Sequence, residues 1–360
     1  MIETQDLRAA VQSGLITEAQ AAALTGLADA RMQARDRVQD GEEPFVLFKG
    51  FNEIFIVIGL TILFAGWAAL AAAFGANLFE FGGPDTVLIA SVTLGGLAWV
   101  QRYFTLRRRM IAPSIALAIM TALTAGVLGS ALAWNIGWRQ MAGPSGVPGP
   151  TLSILPWVVI AVVMAGHYRL FRVPFDAAII ATSVFAALWS ALVSQGVIPD
   201  EGMALLHMSG SGAGAALSLA FGLACFAIAM RFDMSDPHRV STRSTTGFWL
   251  HVMAAPAIVN TIALRLLDLG PGGQLLLLAV LLILAVVAIV IDRRSFLVSG
   301  AGYAVWLIFT LFDGSALVIV FLGLGLVLLG AQWERLRGAI MRSLPEFSGK
   351  DRLPPYGSLT

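Results

Sequence analysis

A chain of 360 residues that is 58% hydrophobic and 12% charged lies far from the composition of soluble domains, and its mean hydropathy of +0.81 puts it in a membrane. The formal net charge of +1, with charges crowded into short breaks between apolar runs, leaves no basic surplus for nucleic acid. The single cysteine, Cys225, lies inside an apolar run, which excludes an intrachain disulfide and any multi-cysteine metal site and assigns it to packing.

Residues 1–50 are polar with helical periodicity. Ser13 and Gly14 interrupt the pattern, and Thr17 with Gln20 forms a T-x-x-Q capping box that starts a second helix. The expectation is a small helical hairpin. Two short helices bury little surface alone, so the hairpin is expected to lean on a protein partner, the membrane surface or a second copy of itself. This polar opening lacks the three-part pattern of a secretory signal, and the first apolar run is the expected insertion signal.

The turn Ser13, Gly14, Leu15, Ile16, Thr17, Glu18, Ala19, Gln20 resembles the opening of a family of uncharacterised bacterial polytopic membrane proteins, in which a cytoplasmic helix pair precedes a run of transmembrane helices. A second similarity is the stretch from Asp292 to Trp306, where a basic turn leads into a glycine-containing span. The resemblance implies architecture and brings no catalytic residue with it.

Apolar runs of about 20 residues, the length that a hydrocarbon core of about 30 Å requires of a helix, recur at 53–75, 84–101, 110–134, 151–167, 174–196, 211–231, 246–267, 272–291, 295–312 and 315–333. They are continuous rather than alternating, so the fold class is all-α, a polytopic transmembrane helix bundle of about ten spans. The expected domains are the hairpin 1–50, the membrane domain 51–333, and 334–360 as an amphipathic helix with a flexible tail. In the amphipathic helix, Arg335, Arg337 and Arg342 are expected near anionic headgroups.

Of 23 basic residues, 21 fall before span one, after span ten or in the breaks after even-numbered spans; Arg139 and Arg265 are the exceptions. By the positive-inside rule both termini are expected in the cytoplasm of a bacterial inner membrane.

Polar residues inside a span carry the functional information, because they are costly in hydrocarbon and face a bundle interior or cavity. Span seven holds His251, Pro256 and Asn260. They are the candidate substrate-binding residues, with Pro256 expected to kink the helix and release a carbonyl. Nine residues separate His251 from Asn260, which places them on opposite faces. The competing reading is a satisfied histidine, a packing amide and a static kink.

Asp176 and Asp292 are expected to pair with Arg172 and Arg293 at the surface, and Asp233, Asp236 and His238 to form a solvated loop of loosely metal-ligand character. Trp67, Trp189, Tyr303 and Trp306 read as core aromatics or pocket lining. Gly214, Ser218 and Gly222, and Gly126 with Ser130, mark close helix packing. No carboxylate falls near the middle of a span, and no Walker loop, H-E-x-x-H helix or G-x-S-x-G elbow is present. No catalytic residue, metal ligand or cofactor site is assigned.

The favoured reading is a non-enzymatic inner-membrane protein with a scaffold or partner-binding role, its environment the lipid bilayer. The alternative is a secondary transporter of a small metabolite, drug or ion. Ten helices with both ends inside resemble the drug and metabolite transporters, although spans one to five show no similarity to spans six to ten. A lipid-modifying enzyme is the third class, and would need a polar cluster at one interface.

Overall fold

The computed structural model describes residues 10–11, 13–17, 20, 51–73, 84–141, 151–198, 212–237, 239, 241–294, 300–303, 305, 316–347 and 349–354. The chain divides into two compact units, Met1–Phe45 with Gly357–Thr360, and Val46–Tyr356.

In the smaller unit the described residues form one turn. Gly14, at φ +70°, ends a helix in the left-handed conformation, with Leu15 N–H donating to Ala10 O over 2.9 Å and Gly14 N–H to Val11 O over 3.0 Å. The capping box follows: Thr17 N–H donates to Gln20 Oε1 at 2.9 Å and Gln20 N–H to Thr17 Oγ1 at 3.2 Å. The rest of the expected hairpin lies outside the described residues.

The larger unit is a helix bundle, with no strand among the described residues. Among the described residues its helices include α1 (Phe51–Ala73), α2 (Pro84–Gln101), α3 (Ile111–Met141), α4 (Thr151–Phe171), α5 (Asp176–Ser194), α6 (Gly212–Asp233), α7 (Thr242–Leu267), α8 (Pro271–Ile291), α9 (Ala316–Ala331) and α10 (Trp333–Ser343). Eight of these, α1 to α8, are long and apolar enough to cross a bilayer, so eight spans stand among the described residues where the sequence suggests ten. The expected ninth span lies mostly outside the described residues. Within the tenth, the described residues form α9, Ala316–Ala331.

Each connection at the arginine-rich end turns on a non-glycine residue in the left-handed region: Arg109 after α2, Arg172 after α4, Arg239 after α6 and Asp292 after α8, at φ +50° to +56°. Glycine would be the cheaper residue there. At two of the four the side chain explains the choice, because Arg239 and Asp292 pair with each other at 3.0 Å.

Small residues let the helices meet, as their spacing implies. A Cβ on Gly222 of α6 would come within 2.7 Å of Ile258 on α7, and one on Gly129 of α3 within 2.6 Å of the Pro156 backbone on α4. Gly126 faces Ile160, and Gly214 lies against the Trp189 ring. Cys225 packs with Ala254, Ala255, Ile258, Ala288 and Ile291, an apolar core that holds α6, α7 and α8 together.

Helix α10 buries Trp333, Arg337, Gly338 and Met341 on one face. Arg337 therefore points into the protein and not toward headgroups, while Arg335 and Arg342 are exposed. In the segment that follows, described as far as Pro354, Lys350–Arg352 forms a short turn, Leu353 is buried, and Arg337 Nη2 donates to Pro354 O at 2.6 Å.

Candidate functional site

The polar residues of span seven do not gather into one site. His251 is fully buried, whereas Pro256 and Asn260 are half-buried further along the helix, and α7 continues through Pro256 to Leu267. The two cavities that flank α2 are lined by residues of α1, α2, the turn after α2, and α3. His251, Pro256 and Asn260 line neither.

His251 belongs instead to a buried ionic cluster. Its Nε2 lies 2.9 Å from Asp233 Oδ2, and its ring stands edge-on to Phe226 at 5.5 Å between centroids. Asp233 is the last residue of α6 and is 3% exposed, so it is no part of a solvated loop. Arg293 grips it with both arms: Nε donates to Oδ2 at 2.9 Å and Nη2 to Oδ1. The same Nη2 donates to Ser244 O at 3.0 Å. A bidentate guanidinium with a third acceptor is the geometry that offsets the cost of burying the charge. Gly247 completes the seat, since a Cβ there would collide with Asp233 Oδ1.

Asp292 forms the second layer. Its Oδ1 accepts from Trp333 Nε1 at 2.7 Å and its Oδ2 pairs with Arg239, which also donates to the Asp292 carbonyl at 2.7 Å. Asp292 thus takes Arg239 rather than the adjacent Arg293. Arg294 lies over the Trp333 ring at 5.4 Å. Beside them, burial and the negative charge of Asp292 push the Glu334 carboxyl above its usual pKa, partly opposed by Arg337, Arg294 and Arg239. Three helix ends and the amphipathic helix are joined by this lattice.

Asp236 serves the local turn, accepting from Ser241 N–H at 2.9 Å and Ser241 Oγ at 2.8 Å. Ser241 in turn caps α7 by accepting from Arg243 N–H at 3.2 Å, which is why the helix begins at Thr242 and not at 246. His238 lies outside the described residues. Among those residues, no three His, Cys, Asp or Glu side chains come together as a metal-holding group.

A second histidine–aspartate pair closes α4 against α5. His167 Nδ1 lies 2.6 Å from Asp176 Oδ2, with His167 5% and Asp176 0% exposed. Asp176 thus pairs with His167 and not with Arg172. Across the pair, His167 Nε2 and Asp176 Oδ1 have no hydrogen-bond partner among the described residues. Near it Phe175 packs edge-on against Trp249 at 4.6 Å, tying this end of α5 to α7. Glu53 of α1 is also buried, accepting from Ala112 N–H at the start of α3 over 3.1 Å.

Among the aromatics, Trp67 lines a cavity and donates to Thr93 Oγ1 at 2.8 Å, whereas Trp189 and Tyr303 are packing residues. Trp306 lies outside the described residues. His167, Glu53 and the role of Arg293 do not stand out in the sequence. The available signal was a charged or imidazole side chain set just within the end of an apolar run.

Comparison with family models, with curated proteins and with solved structures finds no match to this chain.

Proposed function

We propose that this chain is a non-enzymatic protein of a bacterial inner membrane, with the arginine-rich end and both termini in the cytoplasm, and that it holds a fixed cytoplasmic face for a partner or a second copy recruited by the N-terminal helix pair. The observation that carries this reading is the closed cluster of Asp233, His251 and Arg293 with Asp292, Arg239 and Trp333. Its charged groups are spent on one another, which suits a clamp better than a binding site. The resemblance of the 13–20 turn to the bacterial polytopic family supports the same orientation.

One observation favours the alternative, a secondary transporter: the buried His167–Asp176 pair keeps two polar atoms without partners among the described residues, as a proton-handling pair does. Both readings are tested in proteoliposomes and detergent. Deleting residues 1–45 is expected to change oligomeric size or partner capture while membrane insertion persists; unchanged size and partners would remove the scaffold role. Charge movement on adding ions, metabolites or drugs, or on a pH jump, is expected not to exceed that of empty liposomes. A signal abolished by Asp176→Asn would establish the transporter instead.

A further inference from the structure

Helices α1, α2 and α3 enclose a groove with one apolar and one cationic end. Its apolar part is a cavity of about 360 Å³ whose lining includes Leu63, Trp67, Val92, Gly96 and Leu117. Its cationic part, about 470 Å³, is lined by Arg102, Tyr103, Phe104 and Arg107. Trp99 and Val100 line both, so the two adjoin. From Val92 to Val100 is about 12 Å along the helix axis, at 1.5 Å per residue. The cationic part therefore sits at the end of the span, where headgroups lie, and the apolar part extends beneath it into the depth of the hydrocarbon.

The turn that builds the cationic end is unusual. Over Arg102–Arg107 the helix widens into a single π-helical turn, with Arg108 N–H donating to Tyr103 O at 3.0 Å, a feature that recurs at functional sites. In a turn with five-residue spacing, Arg102 and Arg107 come to one side. Arg108 is held aside, donating from Nε to Tyr103 Oη at 3.1 Å and lying over that ring. Arg102 and Arg107 are exposed, and among the described residues neither joins an ion pair.

We infer that this groove binds one anionic phospholipid, its phosphate held by Arg102 and Arg107 against Tyr103, one of its two acyl chains lying in the apolar cavity along α2. Charge complementarity selects the head, since two exposed guanidiniums at headgroup level, neither in an ion pair among the described residues, match a phosphate in geometry and sign. The apolar walls select a chain: Leu63 is 68% and Val92 59% exposed, so the groove opens sideways to the hydrocarbon. A soluble anion satisfies only the upper half of such a site.

The test is native mass spectrometry of the full chain in detergent, titrated with dioleoyl phosphatidylglycerol or dioleoyl phosphatidylcholine. Phosphatidylglycerol is expected to bind the native chain more tightly. Each arginine near a headgroup contributes about fivefold, so Arg102→Gln with Arg107→Gln should weaken phosphatidylglycerol about 30-fold and leave phosphatidylcholine unchanged. The Arg102→Lys, Arg107→Lys chain should keep most of the preference. Arg335→Gln with Arg342→Gln, which neutralises exposed arginines elsewhere, should keep all of it. Gly96→Phe tests the chain, because a Cβ at Gly96 meets nothing within 4 Å and the ring would enter the groove; long-chain phosphatidylglycerol should weaken. Inorganic phosphate at millimolar concentration should fail to displace the lipid. Equal affinity for the two lipids in the native chain would overturn the proposal. So would displacement by phosphate together with indifference to Gly96→Phe, which would make the site one for a free anion.

Discussion

Two helix hairpins in this bundle are closed at the arginine-rich end by a buried histidine–aspartate pair, built in opposite order. In α4–α5 the histidine comes first, His167 with Asp176; in α6–α7 the aspartate comes first, Asp233 with His251. The difference is the third member. Arg293 reaches from the end of α8 to complete the second pair, and Gly247 makes room for the Asp233 carboxylate, whereas no guanidinium pairs with Asp176 among the described residues. The first pair is a two-body contact between neighbouring helices. The second is a node through which α6, α7, α8 and, by way of Asp292 and Trp333, α10 depend on one another.

That contrast is most easily broken at Arg293. Arg293→Met keeps much of the side-chain volume but leaves the Asp233 charge buried without its bidentate partner, and should cost about 3–5 kcal/mol, read as a large fall in thermal midpoint in detergent. In α4–α5, Asp176→Asn keeps shape and removes one charge-assisted hydrogen bond, for which about 1–3 kcal/mol is expected. Equal losses at the two sites would erase the distinction between a contact and a node.

The smallest effect sharpens the outer edge of the cluster and has the opposite sign. Glu334 has a folded pKa above its ordinary value, so its contribution to stability is fully present below that ordinary value and is lost as pH rises through the folded one. Glu334→Gln should accordingly match the native chain in acid and melt slightly higher at neutral pH. A lower midpoint at neutral pH would mean that the nearby arginines, and not burial and Asp292, dominate.

What could be read from the sequence was local or periodic. The apolar runs locate α1 to α8 to within a few residues at most ends, and the T-x-x-Q spacing of Thr17 and Gln20 identifies a cap that the hydrogen bonds reproduce. The polar cluster was not legible, because its members come from distant parts of the chain: Asp233 and Arg293 are 60 positions apart. Sequence proximity suggested the wrong partners, Arg172 for Asp176 and Arg293 for Asp292. Asp233 and Arg337 are both more buried than their sequence positions suggest, for one reason. An ionisable residue at the end of an apolar run reads as solvated, and only the packing of a later segment, here the 292–294 turn and the tail at Leu353 and Pro354, takes it out of water.

The most direct measurement is a double-mutant cycle across the node: the stability in detergent of the native chain, Asp233→Leu, Arg293→Met and the chain carrying both. If the two side chains form one compensated unit, the double variant loses less than the sum of the singles, by a coupling of about 0.5–3 kcal/mol or more. Losses that simply add would mean that Asp233 and Arg293 act independently, and the picture of a charge-locked helix end would be wrong.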